Sequence, residues 1–427
     1  MKQQSLLNQS TTVQSILDWL HTFGKSSDTG NTRLLYSNDW MNAQNALFDQ
    51  FQQSSLTPYF DDVGNLFGRV EGMNRNHKEA ILVGSHIDTV IDGGKYDGVY
   101  GIAAAWIAVK ELLEQHGRPL HTIEVASLCE EEGSRFPLTF WGSGNITNKH
   151  KQIVSTEIFD HEDVSLYSAM IEKGFGLGRY PQPYRGDLSH FLEVHIEQGS
   201  VLEQDHQDIG IVQSIVGQRR YTIVVNGKSD HAGTTPMNRR VDAMESAASL
   251  MTSFTQFARR LDDDLVSTVG KIEAKPNTPN VICHQVTFSL DVRHPSVTTL
   301  DLYEQEMNTL IAQLEREKRV NIHVNRWTNV QPVNMDDSLV ELAYKESERL
   351  NYQTKIMHSG AGHDAQIFGT HCKTSLLFVP SKDGISHSPK EFTAEHHLRA
   401  GVNVLKSMIY TLAYEKRSSY HDELPLS

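Results

Sequence analysis

The chain predicts an α/β fold: a catalytic domain on a mainly parallel sheet with helices on both faces, interrupted by an inserted ferredoxin-like α/β domain. Three observations predict it. Short apolar runs that read as buried strands alternate with helical stretches through most of the sequence. The middle of the chain changes to the order β-α-β-β-α-β, the split pattern of a ferredoxin-like unit. The length, 427 residues, is large for one compact domain and suggests about two.

The elements follow in order. Residues 11–24 and 38–55 carry apolar side chains spaced by three and four, as helices do. Ile81 to Val83 reads as a strand. Val99 to Gln115 reads as a helix that is apolar on most of its surface, from Ile102 and Trp106 to Leu112 and Leu113. "TIEVASLC" (122–129) is a second strand, and "FLEVHIE" (191–197) alternates strictly as a third. "SLLFVP" (375–380) is another short buried strand, and helices are predicted at 336–350 and 395–415. Between these lie strand Arg220–Val225, helix Arg240–Leu261, strands Ser267–Glu273 and Val281–Val292, helix Leu300–Glu317 and strand Val320–Val324. The predicted division is 1–212 with 330–427 for the larger domain and 213–329 for the inserted one.

Composition narrows the function. Hydrophobic content of 38% and charge of 22% are those of an ordinary globular protein. A formal charge of -14 disfavours nucleic acid or an anionic membrane as a partner. No apolar stretch is long enough to span a bilayer. The first twenty residues lack a charged start followed by an apolar core, so no secretion signal is expected. Cys129, Cys283 and Cys372 have no paired spacing, which fits a reducing, cytoplasmic compartment.

In open α/β sheets ligands sit outside the carboxyl ends of the strands. There the sequence is unusual. "ILVGSHIDTVIDGGKYDGVYG" (81–101) ends a strand in His86 and Asp88 and runs through a glycine-rich loop to Asp97. Glu130, Glu131 and Glu132 follow the second strand, His195 lies in the third, and His387 follows the last in "SKDGISHSP". Imidazole and carboxylate together suit zinc, manganese and similar ions without thiolate. Asp97 has two oxygens with which to bridge two ions, and ions about 3.5–4 Å apart form a common hydrolytic site. Asp88 could hold the second nitrogen of His86, as metal-bound histidines usually require. Each residue also has a plain reading. Asp97 before Gly98 suits a turn, the glutamates suit a solvated loop or the acidic first turn of a helix, and His195 and His387 suit an exposed strand and a loop. Their joint placement at strand ends favours metal.

"GSHIDTVIDGGKYDGVYG", "EEEGSRF", "HIEQG", "SDHAGTTPM", "PNTPNVI", "SGAGHDA" and "GISHSP" occur in this order between about residues 30 and 415. This set resembles the binuclear amidohydrolases related to carboxypeptidase G and aminoacylase. Within them it resembles the carbamoyl-hydrolysing branch, which holds allantoate amidohydrolases, N-carbamoyl-L-amino-acid hydrolases and yeast-type β-ureidopropionases. "RLLYS", "EEEGSRFPLTFWGS" and "VGQRRYT" are most similar to the first of these groups.

The resemblance implies roles. His86, Asp97 and His195 would hold one divalent ion, manganese or zinc, and Asp97, Glu132 and His387 the other. Glu131 would be the general base, and Glu130 has no assigned role. The inserted domain would be a lid and would form a homodimer, with His231 reaching the neighbouring active site to stabilise an oxyanion. Arg293 would bind the carboxylate of a small ureide substrate, with Gln218, Asn280 and Gly362 adding hydrogen bonds. Arg219 and Arg220 are alternative carboxylate partners. His195 stands where peptidases of this clan tend to place a carboxylate, which argues against a peptidase.

Overall fold

A computed structural model describes residues 12–26, 30–74 and 79–415. Residues 1–11, which bear on the expected absence of a secretion signal and on the first residue of the 11–24 helix, lie outside the described residues. The chain divides into two compact units, Met1–Gln213 with Met335–Ser427, and Ser214–Asn334.

The strands of the first unit are β1 (Thr57–Phe60), β2 (Leu66–Val70), β3 (Ala80–His86), β4 (Thr122–Leu128), β5 (Leu188–Ile196) and β6 (Ile209–Ile215). The second unit contributes β7 (Gly217–Asn226), β8 (Val266–Thr268), β9 (Ile272–Lys275), β10 (Gln285–His294), β11 (Asn321–Val330) and β12 (Val333–Asn334). The chain returns to the first unit for β13 (Thr354–Ser359) and β14 (Lys373–Val379).

The larger sheet has the order β1-β2-β4-β3-β5-β14-β6, with β13 also on β6; the last two residues of β6, Ser214 and Ile215, belong to the second unit and pair there with β12. Its centre, β4-β3-β5-β14, is parallel, and the flanking strands are antiparallel. The parallel core follows from the sequence: β3 and β4 are buried along their whole length, as strands covered on both faces must be. Glu124 is the charged residue of β4. It is tolerated there because Arg69 and Arg185 each reach it at 2.7 Å and the Tyr59 hydroxyl donates to it at 2.9 Å.

Helix Val99–His116 buries nearly every residue of its first three turns against β3, β4 and β5, and helix Glu395–Ala413 packs against it and β14. That explains why its apolar residues run all round rather than along one stripe. Helix Asn38–Gln53 is capped by the Ser37 side chain, which accepts the Trp40 N–H. Helix Asp337–Arg349 is capped by Asp336.

The second unit has the strand order β11-β7-β10-β8, all antiparallel, with β9 also on β10. Helices Ala243–Leu261 and Val297–Lys318 pack on its sheet. β7 and β10 alternate strictly between buried and partly exposed residues. Tyr221, Ile223, Phe288 and Leu290 face a core shared with Phe254 and Tyr303. Gln218, Arg220, Asp291 and Arg293 occupy the other face.

The predicted strand Ser267–Glu273 is two strands. The chain bulges at Gly270, where the Ser289 hydroxyl accepts the Lys271 N–H, and pairing with β10 resumes at Ile272. The strand expected at Val281–Val292 begins later, at Gln285, and the helix expected from Arg240 begins at Ala243, where Asp242 caps it.

Candidate metal centre

Four parallel neighbours end at one edge of the sheet, and each delivers a polar group there. His86 is the last residue of β3, and His195 the last but one of β5. Glu131 and Glu132 follow β4, and His387 follows β14. From β3 the chain crosses through helix Val99–His116 to β4 on one side, while β5 pairs on the other. The order therefore switches at β3, the place where open α/β sheets leave a crevice.

The loop after β3 brings Asp97 back to this edge. Gly98 makes the return possible. It takes φ +64° at the start of the helix, and a Cβ there would overlap the His86 ring. Asp97 is buried, and its two oxygens face different partners. Oδ1 lies 3.5 Å from His86 Nε2 and 3.2 Å from His195 Nε2. Oδ2 lies 3.3 Å from His387 Nε2, which is itself 3.3 Å from Glu132 Oε1. The donor atoms of His86, Asp97 and His195 all lie within 4.8 Å of one another, and so do those of Asp97, Glu132 and His387. A third such group joins His86 to Glu131 and Glu132.

The outer nitrogens fix the rings. His195 Nδ1 is 2.9 Å from the Ile196 carbonyl, and His86 Nδ1 is 3.2 Å from both the carbonyl and a carboxylate oxygen of Asp88. Each ring therefore turns Nε2 toward Asp97, the side from which a metal ion would be held, and His195 Nε2 also accepts the Gly98 N–H at 3.0 Å. This arrangement of imidazole and carboxylate donors with no thiolate fits a divalent transition metal or zinc.

The electrostatics follow from burial and crowding. Burial by itself would raise the Asp97 carboxyl. His195, His387 and His86 reverse that and hold it well below the usual carboxylate range. Burial drives Glu131 well above the usual range, with His86 opposing and Glu132 and Asp364 adding to it. His387 is half-exposed, and its contacts with Asp97 and Glu132 raise it to about 10. His363 packs its ring against His195 with centroids 4.5 Å apart, and burial holds it well below an ordinary imidazole.

A model of the peptidase family M20/M25/M40 matches residues 82–411. The chain belongs to that family. The M20 family is metal-dependent, and the donor groups above stand within the matched region. The chain is 44% identical over 408 residues to the allantoate amidohydrolase of Bacillus subtilis (strain 168), covering 96% of this chain and 99% of that protein. It is 43% identical over 406 residues to the allantoate amidohydrolase of Escherichia coli (strain K12), covering 95% and 98%. The crystal structure of an amidase of the hydantoinase/carbamoylase family from Burkholderia multivorans superposes with a TM-score of 0.89 at 29% identity, over 94% of this chain and 97% of that one.

The remaining sequence-predicted residues fall into separate groups. His231 and Asn280 are neighbours in the second unit: His231 bridges to Val281, and the Asn280 carbonyl accepts the Ala232 N–H at 3.1 Å. His231 is exposed, and its Nδ1 accepts the Gly233 N–H. Gln218 and Arg293 face each other across β7 and β10, and both bind Asp291, as does Arg220. Arg219 lies on the opposite face of β7, buried, where Asp301, Glu304 and the Leu300 carbonyl hold it. That engagement removes it as a carboxylate partner. Gly362 lies in the first unit beside Phe140 and Gln366.

Several polar residues of the site have no role among those that the motifs imply. Gln198 Nε2 donates to Asp97 Oδ2 at 2.8 Å, and Ser386 Oγ lies 3.2 Å from the same oxygen. Glu391 accepts the backbone N–H groups of Tyr96 and Asp97. Gln198 falls inside the "HIEQG" motif and Ser386 beside His387, so both were within reach of the motif reading. Glu391 was not.

Proposed function

We propose that this chain hydrolyses a ureido group of allantoate, a step of purine catabolism. The reaction releases ammonia and carbon dioxide and leaves ureidoglycine, or ureidoglycolate after further hydrolysis. It makes the protein a hydrolase of non-peptide C–N bonds. The observation that carries the reading is that Asp97 is shared by two donor groups in a chain 44% identical to an allantoate amidohydrolase over nearly its full length.

His86, Asp97 and His195 would hold one manganese or zinc ion, and Asp97, Glu132 and His387 a second. When bound, such ions acidify a water and polarise a carbonyl oxygen. Glu131 takes the proton from the attacking water and passes it to the leaving nitrogen. Its burial, which favours the protonated form, suits the second half of that task. His231 donates to the oxygen that gains charge. Arg293 pairs with the substrate carboxylate, for which its planar fork is matched. Gln218, Asn280 and Gly362 orient the rest of the ureide. The unit Ser214–Asn334 serves as lid and as the contact of a homodimer. The cytoplasm is the compartment that suits three free cysteines, and no helix of the described residues is long and apolar enough to cross a membrane.

The similarity to a hydantoinase/carbamoylase amidase favours one second reading, hydrolysis of an N-carbamoyl-L-amino acid or of β-ureidopropionate at the same centre. Ammonia release by metal-loaded protein separates the two. A strong preference for allantoate over a panel of N-carbamoyl amino acids supports the first. The opposite preference moves the function to pyrimidine or hydantoin degradation.

A further inference from the structure

Glu391 lies outside the donor groups, yet it touches both loops that supply them. It is buried, at 5% exposure. Oε1 accepts the backbone N–H of Tyr96 at 2.8 Å and of Asp97 at 3.1 Å. Oε2 lies 3.3 Å from Ser386 Oγ, and that hydroxyl is 3.2 Å from Asp97 Oδ2. The single hydroxyl proton serves one carboxylate at a time, and Gln198 Nε2 donates to the Ser386 oxygen at 3.2 Å. Gly94 has no Cβ where Glu391 passes, and a Cβ there would overlap the Glu391 side chain.

The contact answers a mechanical problem. The segment from Asp92 to Gly98 contains three glycines and would be loose by itself. A shared carboxylate must nonetheless aim Oδ1 at His86 and His195 and Oδ2 at His387. His387 sits on a second loop, at φ 52°, next to Ser386. Nothing in either loop's local sequence sets the distance between them.

We propose that Glu391 is a positioning residue: it clamps the Asp97 backbone to the Ser386–His387 loop and so sets the geometry of the second ion's site, Asp97, Glu132 and His387. The proposal rests on the two-ion reading above. A carboxylate holding two backbone N–H groups and a hydroxyl is a common outer-shell support, and losing one typically costs about 10–100-fold in metal affinity. The effect is directed. His86 and His195 have their own supports in Asp88 and the Ile196 carbonyl, so the first ion's site keeps its rings in place without Glu391.

The test is calorimetric titration of metal-stripped, full-length protein with manganese, for wild type, E391A, E391Q and S386A, alongside thermal unfolding of each stripped protein. Wild type is expected to bind two ions. E391A is expected to keep the tighter step and to weaken the other about 10–100-fold. In E391Q the amide oxygen can still accept both N–H groups and the NH2 can donate to Ser386, so the second step is expected to return toward wild type. S386A cuts the other end of the clamp and weakens the same step, which keeps the test intact if E391A fails to fold. Equal affinities in wild type and S386A or E391A overturn the clamp. So does parallel weakening of both steps together with a lower melting temperature that glutamine does not rescue, since that is a general packing role. If wild type binds no ion, the two-ion reading itself fails and the clamp with it.

Discussion

Asp88 accepts the backbone N–H of Glu131 at 3.0 Å, so a residue just past β3 sets where the chain turns after β4. Its second oxygen accepts the Glu132 N–H at 3.1 Å, and the same carboxylate is 3.2 Å from His86 Nδ1. One buried carboxylate thus orients a histidine of one donor group and a glutamate of the other. Asp88→Ala is expected to weaken metal binding about 10–100-fold without unfolding the protein. Titration of the stripped protein checks this. An unchanged affinity would assign the support of His86 to the Asp88 carbonyl, also 3.2 Å from Nδ1.

Glu131→Gln keeps the size and hydrogen-bonding capacity of the side chain but cannot carry the proton. The expected outcome is a kcat lower by about 10²–10⁴-fold with unchanged metal content. A loss of metal equal to the loss of rate would instead make Glu131 a ligand, in keeping with its place in the group with His86 and Glu132.

His387 gives the metal-free protein a pH dependence of known sign. Its contacts with Asp97 and Glu132 raise its pKa to about 10, above the ordinary value of 6.5. A folded pKa raised in this way stabilises the fold fully below about pH 6.5 and loses that contribution as pH rises toward 10. The melting temperature of stripped wild type should therefore exceed that of His387→Ala at pH 6 by more than at pH 9.5. Because the same proton must leave before Nε2 can bind a cation, metal affinity should rise over this range. A difference between the two proteins that is constant with pH would contradict the assignment.

Gly98→Ala should fail for two reasons at once. The backbone there has a positive φ, and the added methyl would overlap the His86 ring. Holding alanine in such a conformation costs about 1–3 kcal/mol, and displacing the ring removes one ligand. A lower melting temperature together with reduced metal content is the expected result. A variant with normal metal content would show that the loop relaxes without moving His86.

The sheet's ligand edge is legible in the sequence because apolar runs stop at polar residues there. Its full extent is not. β3 continues three residues beyond Val83, through Gly84 and Ser85, which break the apolar pattern. Both are required by packing: a Cβ on Gly84 would overlap the Ala126 backbone, and Ser85 donates to the buried Glu193 at 2.6 Å. β6 carries Gly210 and Gln213 among its apolar residues, and β13 is half-exposed, so neither shows a clean strand period. β1 has only four residues. The donor residues stood out because chemistry selects their types. Glu391 did not, because its partners Tyr96 and Asp97 are 295 and 294 positions away and only the closed fold brings them together. Arg219 and Arg220 are adjacent in sequence, and only the alternation of β7 separates the buried structural arginine from the one beside Gln218.

The central claim is that Asp97 serves two ions. Metal content of purified Asp97→Ala beside wild type, measured by elemental analysis after loading and removal of excess manganese, tests it most directly. Two ions per chain in wild type and none in Asp97→Ala is the predicted result. Equal content in the two proteins would contradict the shared role of Asp97 and, with it, the binuclear reading of this site.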